Sequence, residues 1–239
     1  MSDAYRVAPH GGDLVELLAD PDRVGELREL AMDMPSISLS SRQLSDLELL
    51  MNGAYSPLRG FMNRRTYDSV LDGMRLPDGV LWPLPICLDI TESEAERLKP
   101  GRQTALRDSE GFMVAVLTVD DVWEIDKIRE ADAVYGVRDN AHPGVDRLFK
   151  SESTHYVGGP VEGVQYPLHF AFRRLRHTPR ELRRLYAKLG WRRVVGFHTR
   201  NPIHRAQFEM TLRAMAEAKA NLLLHPVVGR VQTGDIDAY

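Results

Sequence analysis

Between Val194 and Gln207 the chain reads Val-Val-Gly-Phe-His-Thr-Arg-Asn-Pro-Ile-His-Arg-Ala-Gln. An apolar, partly β-branched run gives way to polar residues, and Asn201-Pro202 reads as the start of a helix. Asn is a good N-cap, and Pro is tolerated at the first helical position, where its missing N–H has no partner anyway. A helix starting at Pro202 puts His204 in its first turn, beside unpaired backbone N–H groups and the positive end of the helix dipole. Arg200, His204 and Arg205 crowd the same place. This is chemistry for anions, phosphate-like ones above all. The surroundings agree in sign: residues 173–213 hold 12 Lys/Arg against two acids, Glu181 and Glu209, while the remainder holds 19 basic against 32 acidic residues. A basic segment raises the local concentration of polyanions. Arg180, Arg183, Arg184 and Lys188 also read as the solvated face of an amphipathic helix, and the two readings are compatible.

The elements that must position this site form a strand–helix–strand unit. Thr178-Pro179-Arg180-Glu181 reads as a capping box, and Gly190 closes that helix. A strand over Val194–His198, a helix running to about Lys219 and a strand over Asn221–His225 make a βαβ unit with parallel strands. Ligands of such sheets lie beyond the strand C-termini, where His198 to His204 fall. Two parallel strands need cover on both faces, so a nucleotide-binding domain of this kind is incomplete here. Phe208, Leu212 and Met215 are expected in its core.

Upstream the pattern differs. Residues 13–33 fit two short helices broken at Asp20-Pro21, Pro35–Ser41 alternates like a strand, and Asp46–Asn52 fits a helical segment. Asn52-Gly53 and Ser56-Pro57 are turn signals. Leu81–Ile90 reads as an edge or bulged strand because it holds two prolines. Gln103–Arg107 and Gly111–Leu117 read as a hairpin around Asp108-Ser109-Glu110, with a further strand over Asp120–Asp126. Together these predict a β-barrel-like domain ending near Gly158-Gly159-Pro160.

Composition bounds the rest. A chain of 239 residues with 43% hydrophobic and 27% charged residues suits a globular protein of one large domain or two. No apolar run approaches the roughly 20 residues that span a bilayer, and Met-Ser-Asp-Ala-Tyr is no signal peptide, so a cytoplasmic location without membrane partners is expected. Cys87 lies among apolar residues and reads as a core residue. His142, His155, His169 and His177 lack metal-ligand spacing, so no metal site is expected. Asp235 and Asp237 read as a turn.

Several motifs then resemble one family. Ser36-Ile37-Ser38-Leu39, Arg42-Gln43 and Asp46-Leu47-Glu48-Leu49 are similar to the N-terminal region of ATP sulfurylases (sulfate adenylyltransferases). So are Ser56-Pro57-Leu58-Arg59-Gly60-Phe61-Met62, Trp82-Pro83-Leu84-Pro85-Ile86, His142-Pro143-Gly144-Val145 and Gly158-Gly159-Pro160-Val161-Glu162. Thr199-Arg200-Asn201-Pro202-Ile203-His204-Arg205-Ala206, His225-Pro226-Val227-Val228-Gly229 and Gly234-Asp235-Ile236-Asp237 continue the match in order. The resemblance implies α/β plus β architecture: a PUA-like β-barrel domain over residues 1–168, then an incomplete Rossmann-like nucleotidyltransferase α/β domain over 169–239. It implies that ATP and sulfate give adenosine 5′-phosphosulfate and pyrophosphate, with Mg²⁺ accompanying ATP and a homo-oligomeric assembly. Arg200 would sit on sulfate and His204 on the ATP phosphates. Asn201 and Thr199 would line the same loop, with His198, Gln207 and His225 around the substrates.

Two departures matter. The family's second motif His is Gln207 here, which can donate an amide hydrogen bond but cannot become cationic. A later Gly-Arg-Asp-His-type motif is absent, so the expectation is a fragment with little turnover by itself. Blander roles stand beside the functional ones: a structural ion pair for Arg200, a backbone hydrogen bond for His198, loop packing for His225. An RNA-binding PUA-like module, another adenylyltransferase and a catalytically silent remnant are the rival readings. Net acidity and the lack of clustered aromatics weigh against nucleic acid.

Overall fold

The computed structural model describes residues 8–227, and the described chain divides into two units, one over Pro9–Pro179 and a second from Arg180 onward. The sequence readings at Val228-Gly229 and Gly234–Asp237, including the turn read at Asp235 and Asp237, lie outside the described residues.

The spine of the first unit is the strand β7, His155–Gly163. Its first half lies between β3 (Leu88–Ile90) and β6 (Asp121–Glu124), both antiparallel to it. Its second half lies between β2 (Gly60–Phe61) and β5 (Met113–Thr118), again antiparallel. The strand β5 pairs with β4 (Gln103–Arg107), and β4 pairs in parallel with β1 (Ser36–Ser38), giving a seven-stranded sheet. Gly158-Gly159-Pro160 is therefore the middle of the central strand, not the end of a domain. Space, rather than turn chemistry, selects these glycines. A Cβ on Gly158 would stand 2.1 Å from the Met62 carbonyl oxygen, and one on Gly159 would stand 2.0 Å from that of Thr118. Gly159 also has φ +149°, open to glycine and strained for any other residue.

Two further expectations change. Residues 13–19 are not a helix: Leu18 bridges to Gly163, the Leu17 carbonyl accepts the Gly163 N–H at 2.7 Å, and the Ala19 N–H donates back at 2.9 Å. Pairing with the open end of β7 outweighs the helical spacing of the leucines. Within Leu81–Ile90 only Leu88–Ile90 joins the sheet, because the prolines have no N–H to donate. The expected hairpin forms, and Asp108 Oδ1 accepts the N–H groups of Glu110 and Phe112 to shape its turn.

Helices cover the sheet. The helix α1 (Pro21–Leu30) opens with Asp20 accepting the Arg23 N–H. The helix α2 (Ser41–Met51) is capped reciprocally by Ser40 and Gln43 and buries Leu47, Leu50 and Met51 completely. Each such side chain contributes about 1.5–3 kcal/mol relative to exposure. Then follow α3 (Arg64–Gly73), the short α4 (Glu92–Ala95), α5 (Lys127–Glu130) running into a π-turn, and α6 (Pro143–Lys150). One large cluster joins α2, α3 and the strands, including Phe61, Val70, Leu88, Leu106, Leu117 and Val157. Cys87 is buried, as read from the sequence.

The second unit holds α7 (Pro179–Lys188, beginning at the boundary), β8 (Val194–Thr199), α8 (Arg205–Ala218) and β9 (Asn221–Pro226). The strands β8 and β9 pair in parallel from Val194↔Asn221 to Thr199↔Pro226, so the βαβ unit forms as the spacing predicts. Gly190 takes a left-handed φ of +71° just after α7, and Lys219 does the same, at φ +48°, after α8. The expected core is only partly realised. Phe208 and Leu212 are 51% and 43% exposed, because the two strands among the described residues present too little surface to cover the crossover helix. No helix among the described residues is long and apolar enough to cross a membrane.

Candidate functional site

The strand β8 delivers His198 and Thr199 to its carboxyl end, and the ladder sets His198 opposite His225 and Thr199 opposite Pro226. One more backbone bond, from the Val227 N–H to the Thr199 carbonyl at 2.8 Å, extends the pairing past the strand ends. The rings of His198 and His225 meet edge to face with centroids 5.0 Å apart, and their Nδ1 atoms stand 3.3 Å apart.

After Thr199 the chain turns, and the expected helix start is displaced. The helix begins at Arg205, not Pro202, and its N-cap is His204 (φ −90°, ψ 168°), not Asn201. The cause is the Thr199 hydroxyl, which accepts the Asn201 N–H at 3.1 Å and donates to the Asn201 carbonyl at 2.9 Å. That local turn occupies the carbonyl a helix would need as its first acceptor. The first ladder bond runs instead from the Phe208 N–H to the His204 carbonyl at 3.0 Å. Gln207 completes the cap: its Oε1 accepts the His204 N–H at 3.3 Å. The amides of Arg205 and Ala206 precede the first ladder bond, at the positive end of the helix dipole.

The sequence candidates therefore occupy three consecutive stations. His198 and His225 are paired at the strand ends, Thr199, Arg200 and Asn201 form the turn, and His204 with Gln207 forms the helix cap. Arg200, Asn201, His204 and Arg205 are all exposed, so guanidinium, imidazole and amide groups lie at the surface of the loop. Such a surface can gather oxyanions. A guanidinium fork gives two parallel hydrogen bonds to a tetrahedral anion.

Titratable groups also converge in the first unit, where the partners found explain them as structure. Glu130 is buried, and its Oε2 accepts the hydroxyls of Tyr67 and Tyr156, each at 2.9 Å. Burial pushes this carboxyl up, and the two hydroxyl donors oppose that shift. Burial first, and the neighbouring Glu130 charge second, raise both phenols. Burial likewise pushes the Cys87 thiol up and keeps it protonated, which suits a packing residue rather than a nucleophile. A cavity of about 430 Å³ includes Ser38, Gln43, Asp89, Glu94 and Ser153 in its lining. There Asp89 is held by Arg42, Gln43 and Ser153. His142 is exposed and accepts the Gly144 N–H through Nδ1 at the start of α6, where Pro143 follows it at the first helical position. His169 Nε2 meets Glu48 at 2.8 Å.

Comparison with known proteins matches both parts of the chain. A PUA-like domain family matches residues 7–166, and the ATP-sulfurylase family matches residues 173–239. A sulfate adenylyltransferase of Mycosarcoma maydis is 50% identical over 236 residues, covering 97% of this chain and 41% of its own length. One from Neosartorya fischeri is 48% identical over 235 residues, with the same coverage. A solved structure described as a hexameric APS kinase from Thiobacillus denitrificans superposes with a TM-score of 0.77 at 40% identity, covering 95% of this chain and 41% of its own. The chain thus spans about two fifths of the length of the curated relatives it matches.

Proposed function

We propose, for a chain that belongs to the PUA-like domain family through residues 7–166 and matches the ATP-sulfurylase family from residue 173, that the protein acts as a sulfate adenylyltransferase. The observation that carries this reading is the loop Thr199–Gln207, which follows the carboxyl end of a parallel strand and opens a helix. This is where ligands of open α/β sheets bind. The domain's Rossmann-like character is part of the same proposal, as is the division at residues 168 and 169.

Sulfate is already deprotonated, so the reaction needs neither a general base nor a covalent nucleophile. One sulfate oxygen attacks the α-phosphorus of ATP, forming the S–O–P link. The bond from the α-phosphorus to the β-phosphate oxygen breaks, and pyrophosphate leaves with its electron pair. Positioning and charge stabilisation carry such a transfer. Arg200 holds sulfate through its planar fork. His204 and the first-turn amides of α8 face the phosphates, while Thr199 and Asn201 fix the turn between the two anions. His198 and His225 line the strand ends. Gln207 acts mainly on the loop, since its carbonyl oxygen is engaged by the His204 N–H.

Imidazole, guanidinium and amide donors suit oxyanions and not a hard cation, so Mg²⁺ enters with the ATP phosphates. Among the described residues no three His, Cys, Asp or Glu converge as a metal site. The similarity to a hexameric relative supports a homo-oligomer. Exposed Phe208, Met210 and Leu212 support a catalytic sheet that needs further strands, so little turnover is expected from these 239 residues alone. The test is sulfate-dependent pyrophosphate release by the protein with its catalytic domain complete. Loss of that release in Arg200→Ala, with ATP binding retained, is the expected result. Normal turnover in Arg200→Ala removes the residue from its role.

A further inference from the structure

We propose that His198 and His225 form a two-imidazole chelate for a borderline divalent metal of the zinc class, independent of the Mg²⁺ that travels with ATP. The parallel ladder puts the two residues in register, so their positions are set by backbone hydrogen bonds rather than by flexible loops. The ladder continues beyond them through Thr199↔Pro226 and the Val227 N–H bond, which holds both Cα atoms from either side. Their Nδ1 atoms face each other at 3.3 Å. That separation admits a hydrogen bond from one neutral ring to the other in the absence of a metal. It matches the bite of a metal: two nitrogens each about 2.0–2.1 Å from a tetrahedral zinc ion stand about 3.4 Å apart.

The donor set also selects the ion. Two neutral imidazoles suit Zn²⁺, Ni²⁺ or Cu²⁺, whereas Mg²⁺ and Ca²⁺ require oxygen ligands. No third His, Cys, Asp or Glu joins them among the described residues, so two protein nitrogens leave the remaining positions to water or to an oxyanion oxygen. Both residues are exposed, which leaves the metal an entry path and room for those ligands. Thr199 and Arg200 follow His198 directly, so an anion on the metal would share the loop that the proposed reaction uses.

The experiment titrates Zn²⁺ into the untagged 239-residue chain in competition with a chromophoric chelator, with Mg²⁺ in a parallel arm. One Zn²⁺ per chain and no competition from Mg²⁺ are expected. Loss of a single ligand should weaken binding at least as much as the roughly 10–100-fold seen when groups supporting a ligand are removed. His198→Gln and His225→Gln should each show that loss while keeping the far-ultraviolet circular dichroism of the parent. Cu²⁺ bound to the parent should show electron-paramagnetic splitting from two nitrogens, and from no more than one in either variant. Unchanged zinc affinity in either variant, or equal competition by Mg²⁺, overturns the assignment. The readout uses neither sulfate nor ATP, so its failure would leave the proposed enzymatic activity standing.

Discussion

Replacing Glu130 tests how the first unit holds its polar core together. Both tyrosine hydroxyls that donate to this carboxylate do so at 2.9 Å, and Tyr67, Tyr156 and Glu130 are all buried. In Glu130→Ala the two hydroxyls lose their acceptor, and each buried unsatisfied group costs about 1–3 kcal/mol. The sum of about 2–6 kcal/mol corresponds to a fall in Tm of roughly 5–20 °C for a domain of this size. Glu130→Gln keeps an oxygen for both hydroxyls and removes the charge, so it isolates the pH term. Burial raises the folded carboxyl above its unfolded value, so the protonated form is the one the fold favours. The resulting stabilisation is fully present below the unfolded pKa of about 4.3 and is lost as pH rises through the folded value. Relative to Glu130→Gln, the parent protein should therefore lose stability as pH rises from about 4 through the folded carboxyl's raised value. Thermal melts followed by near-ultraviolet circular dichroism report on this site, because the Trp123 ring lies 5.6 Å from Tyr67 and 5.7 Å from Tyr156. A Glu130→Ala melt within 2 °C or so of the parent would refute the reasoning, as would identical pH slopes for the parent and Glu130→Gln.

Two further outcomes follow from the backbone. Gly159→Ala should destabilise the first unit by at least about 3 kcal/mol, since the new methyl meets the Thr118 carbonyl and φ is positive; a denaturant melt with an unchanged midpoint would contradict the close approach. Gln207→Ala should loosen the start of α8 by about 0.5–2 kcal/mol, the usual worth of a helix cap, and speed hydrogen exchange at the His204 amide. Unchanged exchange there would mean that the carbonyl of Gln207 is not the acceptor in solution.

The βαβ unit was legible because its information is local. Gly190 after α7, the run Val194–Thr199 and the Asn221–Pro226 strand lie where periodicity and turn chemistry put them, and so does the hairpin at Asp108. What sequence reasoning missed depends on contacts distant in the chain. The glycines of β7 read as the end of a domain because nothing local reveals that the Met62 and Thr118 carbonyls press on them. Residues 13–19 read as a helix because their pairing partner, Gly163, lies far along the chain. At the proposed site the helix start moved by three residues, from Pro202 to Arg205. The Thr199 hydroxyl captured the Asn201 backbone, and Gln207 supplied a later cap. The register of His198 with His225 was also hidden, since two histidines on separate strands announce no pairing until the ladder is set.

The claim that Thr199–Gln207 gathers two oxyanions is tested most directly by titrating the chain with sulfate and, separately, with ATP while following backbone amide resonances. Shifts from both anions should concentrate at Arg200, His204, Arg205 and Ala206, and Arg200→Ala should erase the sulfate response while leaving that to ATP. Shifts confined to other parts of the chain, or a sulfate response that survives in Arg200→Ala, would contradict the account.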